Sequence, residues 1–296
     1  MAGIIAPAMR SSESHFFDIR GLRYHVREWK GGGKRSMVLL HGWMDVSASF
    51  QFLVDALAPD WNVYAPDWRG YGLSAWSGAD SYWFADYIGD LDFLLDRLSP
   101  GRPVNLVGHS LGGNVGGLYA GIRPDRIARF VNLEGFGMPA TRPEQAPKRY
   151  LRWLEELREM RGWRPYESFA ALADRLQKNN PRLRRDRAEF LAQHWGREAE
   201  GGGVVLRSDP AHKLVNANLY QLPEARACWE RVTAPVLWVE AEESDTRMRM
   251  KLTPEQVLER RAAFKDSRHE MVKDAGHMLH HDQPEVVARL IEAFLL

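Results

Sequence analysis

Cysteine is nearly absent: Cys228 is the only one among 296 residues. A lone thiol excludes an internal disulfide and fits a reducing compartment. Charge of one sign is lacking as well, with 40 Lys and Arg against 39 Asp and Glu, a formal net charge of +1. Such a balance leaves no electrostatic footprint for nucleic acid or an anionic membrane. No apolar run approaches the ~20 residues needed to cross a bilayer. The stretch Met1–Met9 has neither the basic start nor the apolar core of a secretory signal. The expectation is a cytoplasmic protein with no membrane and no nucleic-acid partner; the sequence leaves its oligomeric state open.

What is present is apolar material. Hydrophobic residues make up 45% of the chain, enough for one large α/β core with an insertion. Eleven tryptophans are too many for a core alone, because Trp is rarely buried completely.

One stretch organises the rest. Pro103–Val107 reads as a short, doubly buried strand. Gly108-His109-Ser110-Leu111-Gly112 follows, and then a run of small residues able to start a tightly packed helix. A serine on so sharp a strand-to-helix turn is forced into a strained backbone, and glycines two residues to either side relieve the clashes. Its hydroxyl projects clear of the sheet, beside the free N–H groups of the helix start. Ser110 is the candidate nucleophile.

The remaining chain alternates strands and helices around one interruption. Phe16–Trp29 reads as two short strands about Gly21. Ser36–Gly42 is a buried strand ending His41-Gly42, after which Ser47 is placed to cap a helix toward Ala58. The loop leaving that strand can aim the Trp43 N–H at Ser110, with the Leu111 N–H as second oxyanion donor. Trp61–Trp68 is the next strand. The Gly70-Tyr71-Gly72 that follows lacks the third glycine and the helix of a dinucleotide site, so no cofactor is expected. An amphipathic helix spans Ser81–Leu98, and another strand runs from Ile127 to Glu134. From Pro139 to Trp229 the alternation stops, and Arg- and Glu-rich helical patterns take over. Residues 1–138 and 230–296 are therefore read as the core and 139–229 as a helical cap, with Cys228 a packing residue in its last helix. Strands return at Ala234–Ala241 and Glu270–Lys273. Thr253 and Gln256 form a capping box, and a closing helix reaches Phe294. The fold class is α/β: a mostly parallel central sheet, helices on both faces and an inserted helical cap.

Four features in order make this pattern resemble the α/β-hydrolase fold family over nearly the whole chain. They are His41-Gly42, Asp67-x-Arg69-Gly70-x-Gly72-x-Ser74, Gly108-x-Ser110-x-Gly112 and Gly276-His277 before the last helix. The capped serine hydrolases, esterases and carbon–carbon hydrolases of that family are the nearest in pattern. Family order is nucleophile, acid, histidine, which implies Ser110, an acid near 245 and His277 as general base. The family's acid slot follows the strand at 236–241, but here it holds Ser244. Asp245 is the first choice, assuming a loop longer by one residue. Glu243 is an alternative, and so is Glu134, because some capped relatives take the acid from the end of the preceding strand. His277, His280 and His281 invite a metal reading, yet a zinc site also needs partners that hold its ligands from behind and usually a carboxylate or Cys in reach. Histidines at a helix entry are the plainer explanation, so no metal is expected.

The implied reaction is acyl transfer from a small-molecule carboxylic ester to water. Aspartate-dependent dehalogenase and epoxide-hydrolase chemistry is disfavoured by the serine at position 110. Met44, Trp68, His109, Phe136 and Trp153 are candidate substrate contacts, with Trp195 also in reach, and point to an apolar substrate. A carbon–carbon or lactone hydrolase on the same triad, and a slow-turnover ligand sensor, are the alternatives.

Overall fold

A computed structural model describes residues 9–296; the reading of Met1–Met9 falls almost wholly outside them. Ten strands are described: β1 (Glu13–Ile19), β2 (Leu22–Trp29), β3 (Arg35–Leu40), β4 (Trp61–Pro66), β5 (Val104–His109), β6 (Ile127–Leu133), β7 (Gly196–Glu198), β8 (Val204–Leu206), β9 (Val236–Ala241) and β10 (Ser267–Val272). Eight form one sheet in the order β1-β2-β4-β3-β5-β6-β9-β10. The pairs β1–β2 and β2–β4 are antiparallel and the rest parallel, so β3, β4, β5, β6, β9 and β10 end at the same edge. A ligand site belongs outside that edge.

Alternation along the central strands feeds two cores. Leu106, Phe130 and Trp238 face one side, under α2 (Phe84–Leu98), α3 (Leu111–Ile122), α7 (Leu222–Trp229) and α9 (Pro254–Ala262). Their sequence neighbours Val107, Val131 and Val239 face the other side, under α1 (Gln51–Ala56) and α11 (Pro284–Leu295). Burial on both faces is why these strands read as continuous apolar runs.

Between β6 and β9 lie α4 (Ala146–Glu159), α5 (Phe169–Asn179) and α6 (Arg185–Trp195), the β7–β8 hairpin, and α7. Leu172, Leu176, Leu191 and Val204 cluster within this segment, and Phe52 of α1 closes the cluster from the core side. The hairpin departs from the all-helical expectation. Gly201-Gly202-Gly203 makes its turn, and Gly202 and Gly203 take φ of +88° and +75°. The helical pattern ended there because glycine supplies the left-handed backbone a tight turn needs.

Other boundaries moved. β10 begins at Ser267 rather than Glu270, since its outward residues carry no apolar signal. The helix expected from Ser81 begins at Phe84, capped by Asp86 reaching back to the Trp83 N–H. Ser47 caps nothing. It opens a short 3₁₀ turn, its hydroxyl has no partner, and its N–H donates to Asp67 instead (2.6 Å). The Thr253–Gln256 capping box is formed in both directions. No helix among the described residues is long and apolar enough to cross a membrane.

One buried ionic knot fixes the loop after β4. Asp90 on α2 is fully buried and accepts hydrogen bonds from Arg69, Arg20 and the Tyr24 hydroxyl. Tyr24 in turn accepts the Arg69 N–H (2.9 Å), tying α2, β2 and the loop together. Breaking such a pair from one side leaves a charge without its partner, typically costing about 3–5 kcal/mol. Asp90→Ala is expected to lower unfolding free energy by about that amount; equilibrium urea denaturation measures it.

Candidate active site

The site is built from the ends of β5, β6 and β9 and the loop before α10 (Leu279–Asp282). Ser110 occupies the corner between β5 and α3 with φ +52° and ψ −111°. Left-handed backbone is costly for a residue with a Cβ and persists only where the surroundings over-determine it. They do here. The Ser110 N–H donates to Leu133 O (2.8 Å), and its carbonyl accepts the Asn114 N–H (2.9 Å). A Cβ on Gly112 would lie 2.1 Å from Leu40 O, so α3 reaches the sheet only because that side chain is missing.

Ser110 Oγ and His277 Nε2 are 3.0 Å apart. On the far side of the imidazole, Nδ1 lies 3.1 Å from Glu134 Oε2 and 2.9 Å from Thr246 Oγ1. A carboxylate can only accept, so Nδ1 carries the proton and Nε2 is left bare to accept the serine hydroxyl. Glu134 is itself buried. It accepts the Ala241 N–H at 2.8 Å and the Ser244 hydroxyl, and its own φ is +58°. From behind, His109 Nε2 donates to the His277 carbonyl (2.8 Å) and holds the loop in place. Burial, then the neighbouring His277, drives the His109 imidazole well below its ordinary pKa, so it remains a neutral strut.

Trp43 and Leu111 flank the serine on the wall of a cavity of about 560 Å³. Neither backbone N–H donates a hydrogen bond to protein among the described residues. The chain at Gly42 passes so close that a Cβ there would sit 3.3 Å from Ser110 Cβ. The two amides are free to receive an oxyanion. Tyr82, Trp83, Tyr87 and Tyr220 give the cavity its aromatic character. His212 is stacked between Tyr71 and Tyr82, each 3.8 Å away centroid to centroid. Burial pushes it down to about 3, and it lines the cavity as a neutral ring.

The first-choice acid is overturned. Asp245 is exposed and paired with Arg249 (2.9 Å), while Glu243 is paired with Arg182. The β9 loop instead turns its serine inward, and Ser244 supports Glu134 from the acid slot. Chain order hid this, because β6 and β9 are adjacent and parallel although about a hundred residues separate them.

The expected substrate contacts are also corrected. Trp68 is fully buried and donates Nε1–H to the His41 carbonyl (3.0 Å). Phe136 is buried edge-on against Trp238. His109 lies beneath His277, Met44 packs on the core, and neither Trp153 nor Trp195 lines the cavity. Large rings at the sheet edge were needed to fill space under the loops. The lining aromatics are Trp43 of the β3 loop, Tyr82, Trp83, Phe84 and Tyr87 at the start of α2, and Tyr220.

His277, His280 and His281 do not converge on one point, since His281 is bonded to Ser49 and His280 packs on Phe50. Among the described residues, ligand atoms lie within 4.8 Å of one another only in Asp45–His109–His280, buried, and in Glu13–His15–Glu28 at the β1–β2 edge.

Known proteins resemble this chain in sequence and in fold. A sequence model described as the alpha/beta hydrolase family matches residues 37–290. A serine hydrolase-like protein of Danio rerio is 27% identical over 276 residues, covering 90% of this chain and 83% of its own. A cis-3-alkyl-4-alkyloxetan-2-one decarboxylase of Shewanella oneidensis is 36% identical over 135 residues, 44% of this chain and 41% of that protein. In three dimensions, the thioesterase domain from the curacin biosynthetic pathway superposes with a TM-score of 0.85 at 22% identity, covering 95% of this chain and 99% of that one.

The geometry sets a direct contest between carboxylates. Glu134→Gln removes the acceptor that selects the Nδ1–H tautomer, and the rate at which a fluorophosphonate captures Ser110 is expected to fall by roughly 10³–10⁴. Asp245→Asn is expected to stay within about twofold of the unaltered protein, in line with a substitution at an exposed site. Labelling kinetics read by intact mass compare the two variants.

Proposed function

The chain belongs to the alpha/beta hydrolase family, and we propose that within it this protein is a serine hydrolase acting on a carboxylic ester. The observation that carries the proposal is the alignment of Ser110, His277 and Glu134, with Ser110 on the wall of an aromatic cavity.

In this reading His277 Nε2 takes the Ser110 proton as Oγ attacks the ester carbonyl. Glu134 and Thr246 hold the imidazole in its tautomer, and Glu134 stabilises the imidazolium that forms. The oxyanion is received by the Trp43 and Leu111 N–H groups, each contribution of this kind being worth about 3–4 kcal/mol. The imidazolium then gives its proton to the departing alcohol, and the bare Nε2 activates water for deacylation. Nothing in the cycle requires a cofactor. Residues 139–229 act as the lid: Met138 and Pro139 at its hinge, and Ala211 to Tyr220 near its end, contribute much of the cavity wall. A small-molecule partner and a cytoplasmic location belong to the same reading, the latter resting on the single cysteine.

The partial likeness to a protein named for an oxetan-2-one favours one second reading, a strained lactone. A lactone is an internal ester, so the same nucleophile and amides would open it.

Treatment with a fluorophosphonate is expected to add one adduct, at Ser110, absent from Ser110→Ala and suppressed in His277→Ala. Steady turnover of aryl-ring esters should vanish in Ser110→Ala. Failure of the unaltered protein to form the adduct overturns the proposal; a single stoichiometric burst without turnover replaces it with a slow ligand sensor.

A further inference from the structure

The charges lining the Ser110 cavity are of one sign. Arg149 from α4 and Lys213 are the ionised side chains on its wall, and no carboxylate joins them. Arg149 is half-buried, and among the described residues it makes no hydrogen bond and no ion pair. The carboxylate whose field reaches it, Glu156, is already engaged by the Val215 N–H (2.6 Å) and by Arg152 (2.6 Å). Lys213 has no carboxylate within 4.0 Å either; its ammonium lies over the Trp163 ring, 4.4 Å from the centroid. Elsewhere on this segment some cations are paired, as Arg152–Glu156, Arg185–Glu189 and Arg226–Glu230 show, and others, such as Arg158 and Lys178, stand exposed to water. Two cations on the wall of an aromatic cavity are a different matter. A half-desolvated guanidinium without a counter-charge is a cost that a bound anion removes.

The surroundings point the same way. Residues 139–229 carry 17 Lys and Arg against 12 Asp and Glu, although the whole chain is only +1. Of these cations, Arg149 and Lys213 lie on the cavity wall, where low-dielectric surroundings focus their field. Lys213 and Leu214 also line a neighbouring groove of about 870 Å³, where Arg161, Arg164 and Arg175 outnumber Glu156 and Glu159. The cationic surface therefore continues outward from the cavity.

We propose that the substrate of the Ser110 site is an ester whose apolar or aromatic body ends in an anionic group, a carboxylate or a phosphate, received by Arg149 with Lys213 beside it. The inference rests on Ser110 being the nucleophile and adds the recognition element. A planar guanidinium can grip either anion with two parallel hydrogen bonds, and the aromatic wall accounts for the body between anion and carbonyl.

The test uses matched substrates. The 1-naphthyl monoester of hexanedioic acid, with its free carboxylate, is compared with the same compound capped as a methyl ester, and with a phosphonate-ended analogue. The carboxylate or phosphonate ester is expected to exceed the capped one at least tenfold in kcat/KM, mostly through KM. The larger of the two advantages identifies the head group. The ratio should collapse toward one in Arg149→Gln, recover in part in Arg149→Lys, and shrink in 0.5 M salt. A second measurement avoids turnover. In Ser110→Ala, calorimetry should show 4-phenylbutyrate binding at least tenfold more tightly than 4-phenylbutyramide. Equal kcat/KM for charged and capped esters in an enzyme that turns both over overturns the anion site and leaves the serine hydrolase standing. Turnover of neither, with no fluorophosphonate adduct, overturns both.

Discussion

Everything at the carboxyl edge depends on a serine being held where serine does not naturally rest. Ser110 takes a positive φ because Gly108 near the end of β5 lets the chain turn and α3 begins so close to β3 that a methyl group on Gly112 would collide with the Leu40 carbonyl. The helix cannot retreat, since Gly116 and Gly117 let it lie flat on Phe130. The strain is local and the packing that maintains it is spread over two layers. What results is a hydroxyl standing clear of the sheet at the open start of a helix, whose unused N–H groups face the same point.

Two other corners repeat the device. Glu134 and Met44 also have positive φ, at +58° each, and both end central strands or the loops leaving them. The first brings the Glu134 carboxylate to His277, and the second lies in the loop that sets Trp43 on the cavity wall with Ser110. The support behind them is largely neutral. His41 is pushed down to about 4 by burial, and His109 and His212 are depressed for the same reason. Neutral imidazoles act as struts without bringing positive charge near the histidine beside the serine. The separation of roles is one of environment rather than of residue type.

The segment over the edge follows another logic. Its own small cluster, Leu172, Leu176, Leu191 and Val204, joins α5, α6 and the β7–β8 hairpin and seats them on Phe52. Its outer face carries many charges, some of them in exposed pairs that contribute little to stability one by one. Arg149 and Lys213 differ from the rest in lining the cavity beside Ser110.

How much of this could be read from residues alone depends on range. Doubly apolar runs separated by amphipathic stretches specify a parallel sheet wrapped by helices, because periodicity and burial are local properties. The G-x-S-x-G turn specifies its own conformation for the same reason, and so does the Thr253–Gln256 cap. Residue type in the sequence therefore determined the fold class, Ser110 and His277. Whether Asp245 or Glu134 faces His277 was decided only by adjacency of β6 and β9, a non-local pairing that no spacing rule encodes. The same holds for the aromatics: Trp68 and Tyr82 look alike in sequence, yet one fills the space beneath the loops and the other lines the cavity. Local chemistry writes itself into neighbouring residues; a shared cavity is written by strands that meet only once the chain has closed on itself.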